Sequence, residues 1–405
     1  MTKKAYVIGF IVCMIALMCW GNPSPAGAKD EIVIGQAFSL SGPLASGAAV
    51  SSGPYYELWV KNVNAEGGIY VEEYGKKLPV RLIRYDDKSD VGTMTKLLEK
   101  LILEDKVDFV FPPWSTGMLF AAAPICNKHG YILIGGAGGA EKLKEVKLPY
   151  FFSVLNFSET QMPALARIFA EVGVKSAAVL YRGDLHGIEY SDWSVPELKH
   201  QGIEVKMSKS YPPGIKDLSP MLKEAKSLGV DALVVHGYPD ATMLGTGQML
   251  ELGINFNAVH FNVGPCFTFY RDTFGVDTVE GVIGCGAWNG KSTEGAGDLI
   301  RNYKEVMGQE VSDYWGGLFY YASLQHFRKA VEEAGTLDQA EIRKVMATRT
   351  YDTVAGDFWY DERQIFVNHP GEIGQWQDGV FEVIDPGEKR TAPPIYPKPE
   401  WPGRK

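Results

Sequence analysis

The run Phe111-Pro112-Pro113-Trp114-Ser115-Thr116-Gly117 sets an indole and two hydroxyls between an apolar stretch, residues 107 to 111, and an Ala-rich segment at helical spacing. In an open α/β sheet, ligands lie outside the carboxyl ends of the strands, and the first amides of the following helix attract anions. Ser115 and Thr116 can add hydroxyl donors to a carboxylate, while Trp114 offers a flat wall to the rest of a ligand. The competing assignment is structural: Ser115 caps the helix and Trp114 packs in the core.

Catalytic chemistry finds little support in the same chain. Pro113-Trp114-Ser115-Thr116-Gly117 has proline where a nucleophile elbow has its leading glycine. Cys126 and His129 stand three apart on a helix, which suits a metal pair, but no second pair accompanies them and the seven histidines are dispersed. The run Gly136-Ala137-Gly138-Gly139-Ala140-Glu141 lacks the third glycine of a dinucleotide fingerprint and has no ribose-binding acid downstream. A binding protein with no cofactor and no metal is expected.

The 405 residues, 45% hydrophobic, can build one large core or two ordinary ones. A net charge of −9 with no basic run argues against a nucleic-acid partner. Residues 1–28 read as a secretory signal peptide: Lys3 and Lys4, an apolar run over residues 5 to 20, then Ala26-Gly27-Ala28. The run falls short of the roughly 18–20 apolar residues a membrane span needs. Lipoprotein processing at Cys19 is a lesser alternative, because Met18 is a poor residue before the cysteine. The exported chain then keeps Cys126, Cys266 and Cys285, of which only Cys266 and Cys285 are near enough in sequence for a local bridge.

From residue 31 short β-branched and aromatic runs alternate with helical stretches, the pattern of parallel strands and crossover helices. Four such units fit before residue 150, with helices near 48–64, 93–103 and 117–128, and a second series runs from 150 to 263. Two doubly wound, Rossmann-like lobes are expected. Later come helices near 296–307, 313–334 and 338–347, short alternating strands over 350–384, and a proline-rich, extended tail over 386–405 that Tyr396 and Trp401 can anchor.

EIVIGQAFSLSGPLASG, AAAPICNKHGYILIGGAGGAEKL, LHGIEYSD and FYYASLQHFRKAVEEAGTLDQAEIRKVM, in this order and spacing, resemble the branched-chain amino-acid type of solute-binding proteins of ABC importers. The resemblance implies the type I periplasmic binding protein fold, in which three crossover strands join two lobes. It places the crossings near residues 150–153, 284–288 and 351–356. Lobe 1 is then 29–152 with 288–352, and lobe 2 is 153–287 with 353–385. It further implies a periplasmic monomer that closes on a small-molecule ligand and delivers it to a membrane permease. A ligand-sensing receptor domain is the alternative role.

By the same resemblance the carboxylate sits at Ser115 and Thr116, with Ser41 in the first loop and Ala137, Gly138 and Gly139 as a second wall. Glycine there removes side-chain donors and should widen the pocket. The second lobe would contribute Asn156, His186, Tyr238, Gly264 and Phe267. Relatives hold a ligand ammonium with an acid from that lobe, since an unpaired buried charge is costly; the loop Asn262 to Phe267 has none. Asp240 is the nearest acid, at a helix start where capping is the simpler job. An aromatic or hydrophobic acid without an α-ammonium is therefore expected, in a pocket of Trp114, Tyr238, Phe267 and Trp288. A branched-chain or aromatic amino acid held by Asp240 is the alternative.

Overall fold

The computed structural model describes residues 29–402, apart from Ala137, Gly139, Ala140, Glu141 and Val146. The signal-peptide and Cys19 expectations, and two residues of the glycine-rich wall, therefore lie outside the described residues. Strand Ile32–Phe38 is apolar along almost its whole length because both its faces are covered. It pairs in parallel with Val80–Asp86 on one side and with Phe109–Phe111 on the other. Leu133–Gly135 pairs in parallel with Phe151–Ser153. Helices Ser52–Ala65, Val91–Leu103 and Thr116–His129 build the first lobe with these strands.

The second lobe is a seven-stranded sheet in the order Val380–Asp385, Ile373–Gln377, Ile283–Cys285, Ala258–Phe261, Ala232–His236, Ser176–Arg182, Glu204–Tyr211. Its core is parallel, and the two strands from late in the chain are antiparallel at one edge. Each lobe thus completes itself with residues from far along the sequence. Helix Glu294–Met307 joins the first lobe, where Asn62 Nδ2 donates to Asn302 Oδ1 at 2.6 Å.

Two of the passages between lobes lie side by side. Ser153 N donates to the Gln364 carbonyl at 3.0 Å and Phe366 N donates to the Ser153 carbonyl at 2.9 Å. The third passage is later than the sequence suggests. Tyr351–Thr353 turns back on Gly356–Phe358 as a hairpin against helix Gly317–Ala334, with His326 5.0 Å from Tyr351 and 5.4 Å from Phe358. Phe366 stacks on Phe358 at 4.1 Å and packs on Phe319 of the same helix. The chain joins the second sheet only at Ile373, so the expected division at 352/353 moves to between Phe366 and Ile373. Alternating aromatic residues read as a crossing strand; here they cover a helix.

Three further features complete the fold. The helix expected over 48–64 is two, Ala45–Val50 and Ser52–Ala65, broken at Ser51. The three cysteines among the described residues, Cys126, Cys266 and Cys285, are free and buried, with no disulfide between Cys266 and Cys285. The proline-rich tail docks on the second lobe: Lys398 N donates to the Asn257 carbonyl and Trp401 Nε1 to the Ile254 carbonyl, each at 2.7 Å.

Candidate functional site between the lobes

Strand Phe109–Phe111 ends at the two prolines, and the chain turns through Ser115 at φ 115°, a left-handed region that costs a serine roughly 1–3 kcal/mol. Helix Thr116–His129 starts there, and Ser115 Oγ accepts from Met118 N at 3.4 Å. Ser115 therefore caps the helix while facing the cleft. Trp114 is buried, at 4% exposure, yet it packs across the lobes: its ring centroid lies 5.6 Å from that of Tyr238. Room for the indole exists because residue 47 is glycine; a Cβ there would fall 2.2 Å from the ring.

On the facing wall, helix Leu185–His200 begins after strand Ser176–Arg182 and is capped by Asp184, which accepts from Gly187 N at 3.0 Å. His186 is thereby buried in the first turn. It stacks on Tyr238 with centroids 4.8 Å apart and planes 16° apart, and its Nε2 donates to Asn262 Oδ1 at 2.6 Å. Burial lowers the His186 pKa, lowers that of His236 behind it well below the ordinary value, and takes His260 down to about 3. Where it faces the innermost space the wall is therefore aromatic and uncharged at neutral pH, with Arg182 lying over the outer side of the Tyr238 ring, 5.1 Å from its centroid.

The Trp114–Tyr238 contact divides the interlobe space in two. The inner part, lined by Ser51, Trp114, Thr116, Leu155, His186, Tyr238, Val263, Phe267, Trp315 and Tyr320, has a volume of about 10 Å³, the size of one water site. The outer part, about 170 Å³, is lined by Pro43, Leu44, Ser89, Ser115, Gly117, Arg182, Asp184 and Leu185, with His186 and Tyr238 again. The wide pocket expected from the glycine-rich turn is instead a cleft filled by rings from both lobes.

Trp114, Ser115, Thr116, His186, Tyr238 and Phe267 thus come together. Others do not. Ser41 is exposed, and its Oγ donates to Asp86 Oδ2 at 2.7 Å. Asn156 is buried but fully engaged: Nδ2 donates to the Gly371 carbonyl at 3.0 Å and to Glu372 Oε2 at 2.9 Å, and Oδ1 accepts from Trp315 Nε1 at 2.7 Å. It ties the passages rather than facing the cleft. Gly264 is pressed against Thr242, where a Cβ would lie 2.6 Å from its Cγ2. Gly138 is buried and lines neither space. Trp288 sits in the core beside Tyr314, and Trp315 takes the place foreseen for it.

Asp240 does not face the inner space. Both its oxygens accept from Arg182 Nη1, at 3.3 and 3.2 Å, and Arg182 also pairs with Asp184 at 2.8 Å. The acid that sequence reasoning missed is Asp313. It is fully buried, its Oδ1 accepts from Trp315 N at 2.6 Å and Gly316 N at 2.9 Å, and burial pushes its pKa up to about 7. Ser51, on the wall of the inner space, is its side-chain neighbour. Its signal in the sequence was the Trp315-Gly316-Gly317 run: a Cβ on Gly316 would meet Tyr320 at 2.2 Å and one on Gly317 would meet Tyr55 at 2.2 Å.

Two α/β lobes joined by three passages, with rings and hydroxyls of both meeting at the carboxyl ends of strands, define a two-lobed ligand-binding protein. The family model described as periplasmic binding protein matches residues 31–380, and the chain belongs to that family, whose members bind solutes outside the cytoplasm and are not enzymes. The Leu/Ile/Val-binding protein homolog 7 of Brucella abortus is 24% identical over 383 residues, covering 89% of this chain and 93% of its own. The leucine-, isoleucine-, valine-, threonine-, and alanine-binding protein of Pseudomonas aeruginosa is 22% identical over 368 residues, covering 89% and 94%.

Among solved structures, LivJ of Streptococcus pneumoniae with isoleucine superposes at a TM-score of 0.76 with 19% identity, covering 87% of this chain and 98% of its own. A solute binding protein of an ABC transporter from Rhodopseudomonas palustris with 3,4-dihydroxy benzoic acid gives a TM-score of 0.71 with 17% identity, covering 92% and 99%. These structures share the fold. Among the described residues no helix is long and apolar enough to cross a membrane.

Proposed function

We propose that the chain is the extracytoplasmic solute-binding subunit of an ABC importer, acting as a monomer that closes on a small carboxylate with an aromatic or hydrophobic body. One observation carries the choice of ligand: the rings of Trp114, Tyr238, Phe267, Trp315 and Tyr320 surround the inner space, while the acid foreseen for an ammonium, Asp240, is committed to Arg182. The carboxylate is received at the Ser115–Thr116 turn, where hydroxyls add to the first-turn amides of a helix. The ligand body parts Trp114 from Tyr238 and replaces their contact with contacts of its own. Closing the hinge then removes it from water, and the closed form is what a permease receives.

A second reading, an ammonium-bearing amino acid, is favoured by Asp313. Its Oδ2 makes no hydrogen bond of ordinary geometry, although the carboxyl is fully buried beside Ser51. An ammonium placed there would satisfy it. Relatives named for leucine, isoleucine and valine point the same way, and the neighbour holding a dihydroxybenzoic acid points to the first reading.

The test is thermal unfolding of the mature protein against free amino acids and against aromatic and aliphatic carboxylates without the amine, because a ligand of the folded state raises the midpoint. A shift with amine-free acids supports the first reading. A shift with amino acids alone replaces it by the second.

A further inference from the structure

A cavity of about 430 Å³ lies away from the cleft, along the seam where two passages run side by side. Its floor is Phe151 and Ser153 of one passage and Ile365 of the other; Lys147 and Arg343 stand at its rim. Among the described residues neither cation has an ion-pair partner; Arg343 lies 5.7 Å from the Tyr150 ring. Arg363, also at the rim, is held by Asp361 at 2.7 Å, and Glu362 is the one acid lining the space.

Ser153 supplies the second, independent observation. It is 2% exposed, and its Oγ has no hydrogen-bond partner among the described residues, although its backbone N–H and carbonyl are both used in pairing the two passages. Buried hydroxyls are nearly always satisfied, so an orphan on a cavity wall asks for an occupant. An ammonium and a guanidinium without ion-pair partners among the described residues, and a hydroxyl without a hydrogen bond among them, therefore border one concave space with an apolar floor, of a size that suits a small ligand.

We infer that this cavity binds a small organic oxyanion, a carboxylate or phosphate monoester with a compact apolar body, at a site separate from the cleft. The oxyanion meets Lys147, Arg343 and Ser153 Oγ, and the body lies on Phe151 and Ile365. An occupant touches both passages that flex when the lobes part, so it shifts closure by whatever difference in affinity it has for the two states. None of this depends on the identity of the cleft ligand.

The test is calorimetric titration of the mature protein at fixed ionic strength with phenyl phosphate and with benzoate, in the Trp114→Ala background to silence the cleft. Binding of either probe that weakens about ten-fold or more in the added Lys147→Ala/Arg343→Ala pair supports the site, and the tighter probe tells phosphate from carboxylate. Ser153→Ala, which removes only the hydroxyl, weakens it several-fold with an unfolding midpoint no lower than its parent. Equal affinity with and without the rim cations, or no binding of either probe, overturns the inference.

Discussion

The two walls of the cleft solve different problems with different residues. The first-lobe wall presents Ser115 and Thr116 on a strained turn at a helix start, and glycines 47, 316 and 317 let rings approach closer than any side chain would allow. The second-lobe wall presents His186 stacked on Tyr238, with His236 and His260 buried behind them. Around the inner space one wall is built to receive charge and the other offers shape without charge; the second lobe's charges, Arg182 and Asp184, border only the outer space. The buried titratable groups of the two walls also respond to acid in opposite senses, which gives the comparison a handle.

The hardest test is Trp114→Ala, since the indole belongs to the first wall and touches the second. We expect ligand affinity to fall roughly 100-fold, on the order of 3 kcal/mol, as for a central aromatic anchor. Calorimetry with the ligand found by thermal shift checks it, and unchanged affinity would mean that the walls do not meet around the ligand.

The pH dependence comes next. Asp313 has its pKa raised to about 7 in the fold, so the stability it contributes is whole below the unfolded value and is lost as pH climbs towards 7. Relative to wild type, Asp313→Asn should gain stability as pH rises from about 4 to 7. His260, held down to about 3, contributes stability that is whole above the unfolded value of about 6.5 and is lost as pH falls towards 3. Among the described residues neither of its ring nitrogens has a hydrogen-bond partner, so His260→Leu should be tolerated at pH 7 and should recover about 2 kcal/mol of the acid loss at pH 5. Denaturant unfolding across this range checks both; parallel curves for wild type and variants would erase the contrast.

Smaller effects sharpen it. Thr116→Val keeps the shape of the first wall and removes its hydroxyl, and should weaken a carboxylate ligand by about ten-fold, the worth of one hydrogen bond to a charged group. Asp240→Asn should change affinity by less than about 1 kcal/mol, because the pair with Arg182 is partly solvated and lies outside the inner space. A larger loss there would move the ammonium site to the second lobe.

The order of strands and helices was legible because period and punctuation are local properties: strand Phe109–Phe111, the Pro-Pro break and the start of helix Thr116–His129 follow one another directly in sequence. Trp114, Ser115 and Thr116 were legible for the same reason. Asp313 was not, since it comes to lie behind Ser51 through a loop whose path is set by two glycines and by Tyr55, far away in sequence, whose hydroxyl donates to the Asp313 carbonyl at 3.1 Å. Asn156 was placed at the cleft by its position after a passage, but its amide is used up in holding the passages together. The third passage was misplaced because a hairpin packed on a helix and a strand entering a sheet share one pattern of alternation.

The interleaving of the lobes carries a consequence for the order of events in the life of the chain. Ile283–Cys285 finds its partner in Ile373–Gln377, helix Gly317–Ala334 completes a lobe begun at Ile32, and residues 386–402 bind the second lobe last. The first lobe is incomplete until about Phe366 has been made, and the second until its edge strands Ile373–Gln377 and Val380–Asp385 have been. Such long-range closure slows folding.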